Sequence, residues 1–230
     1  MAKKVYLSPS AQENNIGADN YGSEEFRMNQ VADIVEPQLK RHGVIVKRNS
    51  PSMSLNSIVK DSNNFDPDLH QAIHSNAYNK TSRGCEVFCW KKGKGLLGEV
   101  LANNIYLEVA QITPTSDRGV KEAYNFYGAG KHMYEIANTI KPACLVEVDF
   151  HDNKQSAKWI IENIEPLGIA ITKGILKTLK IDWIPEPIII DGYVYRVVAG
   201  SYKIKENALK QQKLLKQMNI DSFIEAHKIN

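Results

Sequence analysis

Pro142-Ala143-Cys144-Leu145-Val146-Glu147-Val148-Asp149-Phe150 is the stretch on which the reading of this chain turns. Ala143 to Val148 reads as a buried strand with one acid inside it. A carboxylate set among Ala143, Cys144, Leu145, Val146 and Val148 needs a partner or a job. An apolar setting also raises its pKa, which suits a general acid or base.

Working outward from that strand, helical and strand patterns alternate. Toward the N-terminus, the spacing predicts a helix over 98–112, another over 120–127 and a short helical turn over 136–139. Residues 84–90 (Gly-Cys-Glu-Val-Phe-Cys-Trp) alternate and are rich in strand formers. Residues 68–77 fit either a strand running into a loop or a short helix. A helix is predicted over 23–42, with Ser23 as N-cap and Glu24 and Glu25 in the first turn. Met28, Val31, Ala32, Val35 and Leu39 recur there at helical spacing, and Gly43 stops the run. Residues 44–46 and 5–7 read as strands. The latter breaks at Ser8-Pro9-Ser10 and opens a loop rich in Asn, Gly and Asp. Toward the C-terminus, residues 155–179 read as helical with a break at Pro166-Leu167-Gly168. Strands alternating with helices predict an α/β fold with a mainly parallel sheet flanked by helices.

The tail has a different texture. Ile181-Asp182-Trp183-Ile184-Pro185-Glu186-Pro187 carries a spaced proline pair typical of a semi-rigid linker. Beyond it, 193–199 alternates as a strand and 205–218 reads as a helix. Ala208, Leu209, Leu214, Leu215 and Met218 lie on that helix's apolar side, and 222–226 reads as another strand. This βαβ-like unit is small for independent stability.

Composition excludes several classes. A net charge of +3 on a chain that is 24% charged leaves no nucleic-acid stripe and no polybasic membrane anchor. A hydrophobic fraction of 43% supports a proper core and argues against disorder. Three cysteines build no disulfide framework, and Cys85 and Cys89 read as small core residues. No apolar run reaches the roughly 18 residues of a membrane span. Met1 to Pro9 begins basic but has no apolar run of signal-peptide length, so synthesis in the cytoplasm without the general export signal is expected.

Three side chains could converge on chemistry. Glu24 follows the loop after the first strand, His74 sits at a predicted strand end, and Glu147 lies near the end of a buried strand. All three could meet at the C-terminal edge of the sheet, where open α/β sheets bind ligands. Imidazoles and carboxylates from different elements, with one place left for water, are what a zinc site requires. Plainer readings stand beside this one. A first-turn acid commonly complements the helix dipole, and a histidine at a strand end is commonly a satisfied loop residue. His70 and His74 also have the i, i+4 spacing of a helical zinc-protease site. Gln71 stands where that motif needs its glutamate, so His70 reads better as a partly buried strand residue.

Taken in order, these segments resemble the zinc-dependent N-acetylmuramoyl-L-alanine amidases of the type-3 family, over roughly residues 3–180. The Ser8-Pro9-Ser10 loop sits where that family has Asp-Pro-Gly-His, and Glu24 matches its zinc-binding glutamate. Ala72-Ile73-His74-Ser75-Asn76-Ala77 matches its Ser-Ile-His-Ala-Asn-Ala stretch, whose histidine binds zinc. Asp117-Arg118-Gly119-Val120 matches an Arg-Gly-Val segment before a helix. Residues 142–150 match its Pro-Ala-x-Leu-Val-Glu-x-Gly-Phe segment, whose glutamate is catalytic. The family's first histidine is replaced here by Ser10-Ala11-Gln12. The resemblance therefore implies zinc held by Gln12, Glu24 and His74, or by two strong ligands plus water. It implies Glu147 as the catalytic residue, with Asn76 and Arg118 orienting substrate or bracing the site.

The implied activity is peptidoglycan hydrolysis at the amide between muramic acid and L-alanine. A decayed, non-catalytic wall-binding module and a zinc peptidase are the alternatives. Residues 195–208 resemble half of the sporulation-related repeat that binds wall glycans, which implies a division into 1–180, a linker at 181–191 and a wall-binding half at 192–230. Two such halves could pair in a homodimer. Without a signal peptide, such an enzyme would meet the wall after the membrane fails, as a phage endolysin or an autolysin does.

Overall fold

The computed structural model describes residues 2–115, 118–185, 200–218, 220 and 222–224. Two compact units divide the chain, residues 1–184 and 185–230.

In the first unit the strands are β1 (Lys4–Pro9), β2 (Ile45–Arg48), β3 (Leu69–Asn76), β4 (Glu86–Cys89), β5 (Val120–Glu122) and β6 (Ala143–Phe150). They form one six-stranded sheet in the order β2-β1-β3-β6-β4-β5. Every neighbouring pair is parallel except β4 against β6. The helices of this unit are α1 (Glu24–Arg41), α2 (Leu55–Phe65), α3 (Leu97–Ala110), α4 (Tyr134–Asn138), α5 (Lys154–Glu162) and α6 (Ile164–Leu179). The α/β fold with a mainly parallel sheet is as expected.

Strand alternation sorts the side chains onto two unlike faces. On one face Val5, Leu7, Leu69, Ile73, Cys144, Val146 and Val148 join the buried residues of α1, α3, α5 and α6 in a single large core. The other face carries a smaller cluster of Ala72, Phe88, Ala143 and Leu145, covered by Ala123 and by Ile136 of α4. Tyr6, His70, His74, Glu86 and Glu147 lie in the same alternation as that smaller cluster. The sheet therefore has one apolar face and one face with a polar end.

Several local expectations are corrected. Residues 120–127 do not form a helix. Val120 to Glu122 pair in parallel with β4, and the amides of Ala123 and Tyr124 donate to the carbonyls of Cys89 and Trp90. Those donors are thus unavailable to a helix, and Gly119 and Asn125 flank the strand at positive φ. Residues 69–76 are a strand, so His70 and His74 share a sheet face and the helical zinc-protease geometry is excluded. The helical break comes at Asn163, between α5 and α6. Pro166 lies in the first turn of α6, where a missing N–H costs nothing. Helix α2 went unpredicted because its polar run offers only Ile58, Val59 and Ser62 to the interior.

In the second unit α7 (Lys205–Gln217) forms as expected, although none of its residues is buried. Residues 222–224 have no regular structure. The strand expected over 193–199 lies outside the described residues, and so do the edges through which two C-terminal halves could pair. Asp117 also lies outside them.

Candidate active site

The three parallel strands β1, β3 and β6 end together, and the polar residues gather at that C-terminal edge. His74 and Glu147 are register partners on β3 and β6, and Glu86 of β4 is the register partner of Glu147 on the other side. Three titratable side chains thus stand in a row across adjacent strands. The fourth comes from α1. Ser23 caps that helix by accepting from the amide of Phe26, and this fixes Glu24 as the first helical residue. Glu24 is 1% exposed and reaches over the strand ends to His74.

The contacts within this group are specific. Glu24 Oε1 lies 2.8 Å from His74 Nδ1, within ion-pair range. Its other oxygen accepts from Asn15 Nδ2 at 2.6 Å. Asn15 Oδ1 is 3.1 Å from His151 Nε2, and His151 continues through Ser75 to Tyr21 in a buried network. Glu147 Oε2 is buried with no hydrogen-bond partner. Gln12 is exposed, and its amide nitrogen stands 3.5 Å from His74 Nδ1. The Gln12 amide oxygen and nitrogen exchange places by a simple flip.

Burial and mutual charge set the proton affinities. Burial pushes the Glu147 carboxyl up to about 8, with Glu24 and Glu86 adding to the rise and His74 opposing it. Burial works to raise Glu24 as well, but the charge and hydrogen bond of His74, with further hydrogen bonds from Ser10 and Asn15, hold it below its ordinary value. For His74, burial favours the neutral ring. The carboxylates of Glu135, Glu24 and Glu147 outweigh burial and raise its pKa well above the usual range.

The donor set fits a zinc ion with fewer strong ligands than usual. An imidazole nitrogen and a carboxylate oxygen, both ordinary zinc donors, face each other 2.8 Å apart. Among the described residues no group of three or more His, Cys, Asp and Glu side chains is placed to hold a metal. A third protein donor would therefore have to be the amide oxygen of Gln12, a weaker ligand.

Asn76 and Arg118 both turn to Glu86. Asn76 Nδ2 donates to Oε1 and Arg118 Nε to Oε2, each at 2.7 Å, and Lys121 makes an ion pair with the same carboxylate. The Arg118 guanidinium also lies over the Phe150 ring. Sequence reasoning passed over Glu86, which is 2% exposed and holds this cluster together. It also passed over Glu135 of α4. Only the tertiary fold brings that side chain to His70 and His74.

Comparison with known proteins gives consistent results. The family model described as N-acetylmuramoyl-L-alanine amidase (Amidase_3) matches residues 5–177. An uncharacterized 38.4 kDa protein of Clostridium perfringens is 33% identical over 124 residues, which is 53% of this chain and 34% of that protein. Among solved structures, Cwp6 from Clostridium difficile superposes with a TM-score of 0.70 at 28% identity, over 78% of this chain and 30% of its own. The catalytic domain of CwlV, an N-acetylmuramoyl-L-alanine amidase from Bacillus (Paenibacillus) polymyxa var. colistinus, superposes with a TM-score of 0.67 at 20% identity. That match covers 78% of this chain and 99% of the CwlV domain, and at such identity it speaks to the fold. The chain thus spans about a third of the length of the curated relative it matches.

Proposed function

This chain belongs to the N-acetylmuramoyl-L-alanine amidase family, and from that membership we propose that it hydrolyses the amide between the lactyl group of muramic acid and the first L-alanine of peptidoglycan. The observation that carries the reading is the row formed by His74 and Glu147 on adjacent strands, with Glu24 closing over it from α1.

Glu24 and His74, with Gln12 as the weaker third donor, are the residues that would hold zinc. When bound, zinc supplies Lewis-acid polarisation of the scissile carbonyl and acidification of water. The chain's own residues do the rest. Glu147 Oε2 has no competing hydrogen bond and is free to take a proton from the attacking water. The same carboxyl then delivers that proton to the departing amine of alanine. Glu86, neutralised by Arg118 and Lys121, holds the β4 side of the site and keeps Asn76 at its rim. Residues 192–230 are proposed as a wall-binding element resembling half of a sporulation-related repeat.

The test is digestion of purified peptidoglycan, followed by labelling of newly exposed amino groups. Free N-terminal L-alanine, lost with chelator and restored with zinc, supports the proposal. Release of other termini would assign the chain to a peptidase. One observation favours a second reading, a module that binds walls without cutting them: an exposed glutamine stands in the loop where the family carries a histidine. Wall binding with no product in the same assay would establish it.

A further inference from the structure

The polar face of the sheet holds a second buried chain of groups that the mechanism above does not use. Ser62 Oγ of α2 is hydrogen-bonded to His70 Nδ1 at 2.8 Å. His70 Nε2 donates to Glu135 Oε1 at 2.9 Å, because a carboxylate can only accept. The second oxygen of Glu135 stands 3.8 Å from His74 Nε2. Ser62 and His70 are wholly buried and Glu135 is 5% exposed. The ring of Tyr6 lies flat on His70, with centroids 5.4 Å apart and planes 9° from parallel. Burying a carboxylate is expensive unless it is paired, and His70 alone would occupy only one of its two oxygens.

The two nitrogens of His74 face two different carboxylates. Nδ1 looks toward Glu24 and Nε2 toward Glu135. We propose that Glu135 is a positioning residue for His74: when zinc is bound it holds the Nε2–H side of the ring, which leaves the Nδ1 lone pair for the metal beside Glu24, and the Ser62–His70 pair anchors Glu135 in turn. The inference rests on the zinc amidase reading and deepens it. The distance of 3.8 Å is an ion-pair contact. Carboxylate partners of this kind fix the tautomer and orientation of a metal-binding imidazole and typically contribute 10–100-fold in metal affinity.

The experiment measures zinc affinity of the full-length protein by competition with a chromophoric chelator, for wild type, Glu135→Gln, Glu135→Ala and Ser62→Ala. Thermal melts without zinc identify the variants that fold. The expected result is a loss of about 10–100-fold in zinc affinity for Glu135→Gln, with a smaller loss for Ser62→Ala. Glu135→Gln keeps the shape and one hydrogen bond to His70, so it carries the test if Glu135→Ala does not fold. In zinc-loaded wild type, the 15N shifts of His74 should show Nε2 protonated. Zinc affinity within about twofold of wild type in folded Glu135→Gln, or a protonated Nδ1 on His74, overturns this inference and leaves the amidase reading standing. Wild type that binds no zinc overturns the zinc reading and this inference together.

Discussion

Glu147 Oε2 is buried, without a hydrogen-bond partner, and next to a histidine that pairs with Glu24. A carboxyl held near 8 by burial is poised to exchange protons close to neutral pH, where a general acid or base works best. Replacing it with Gln keeps the shape and removes the proton carrier. Glu147→Gln should therefore fold normally, retain zinc and lose at least about 100-fold in kcat. Unchanged turnover would remove Glu147 from the reaction. Gln12 gives a second test at this scale. Gln12→Ala should weaken zinc retention and Gln12→His should strengthen it, as read by chelator competition. Equal affinity in all three proteins would take Gln12 out of the ligand set. That Glu24, His74 and Glu147 stand together was legible in the sequence because each sits in a local pattern: a cap, a strand end, an acid in an apolar run. Glu86 and Glu135 were not. Nothing in Gly84-Cys85-Glu86 or Tyr134-Glu135-Ile136 marks either acid as buried until the cross-strand register and α4 bring their partners to them.

At the scale of elements, the contact between α3 and α6 rests on close backbone approach. A Cβ on Gly174 would lie 2.6 Å from Cα of Ile105. Gly174→Ala should therefore push the helices apart and cost about 1–3 kcal/mol, measured by denaturant unfolding. A neutral or stabilising effect would show that the helices have room to adjust. Asn153 caps α5, accepting from the amides of Gln155 and Ser156, and its own amide donates to the carbonyl of Lys80. Asn153→Ala should cost about 1 kcal/mol. Helical spacing with an apolar stripe made α1 readable, since Met28, Val31, Ala32, Val35 and Leu39 are all buried. The same logic misled at 120–127. There the backbone donors are consumed by β4, a pairing across some thirty residues that no local periodicity reports. Helix α2 escaped notice for the opposite reason, as one of its inward positions is a serine.

For the whole molecule, the alternation of strands and helices was enough to anticipate a mainly parallel sheet. It could not supply the order β2-β1-β3-β6-β4-β5 or the antiparallel placing of β4 beside β6. That placing matters, because it sets Glu86 beside Glu147. The first compact unit ends at Ile184, and Trp183 stacks on His42 within it, with ring centroids 5.1 Å apart. A fragment ending at 184 should keep zinc binding and the hydrolysis of a soluble muramoyl peptide. It should sediment less with whole walls than the full chain if residues 192–230 bind glycan. Equal sedimentation would remove the wall-binding role of the tail. The central claim is that this row of side chains cleaves one particular amide, and mass spectrometry of purified peptidoglycan digested by the full-length protein tests it most directly. Intact stem peptides with free N-terminal L-alanine, absent with chelator and absent with Glu147→Gln, are the expected result. Stem peptides that stay attached to muramic acid, or fragments cut between other residues, would contradict it.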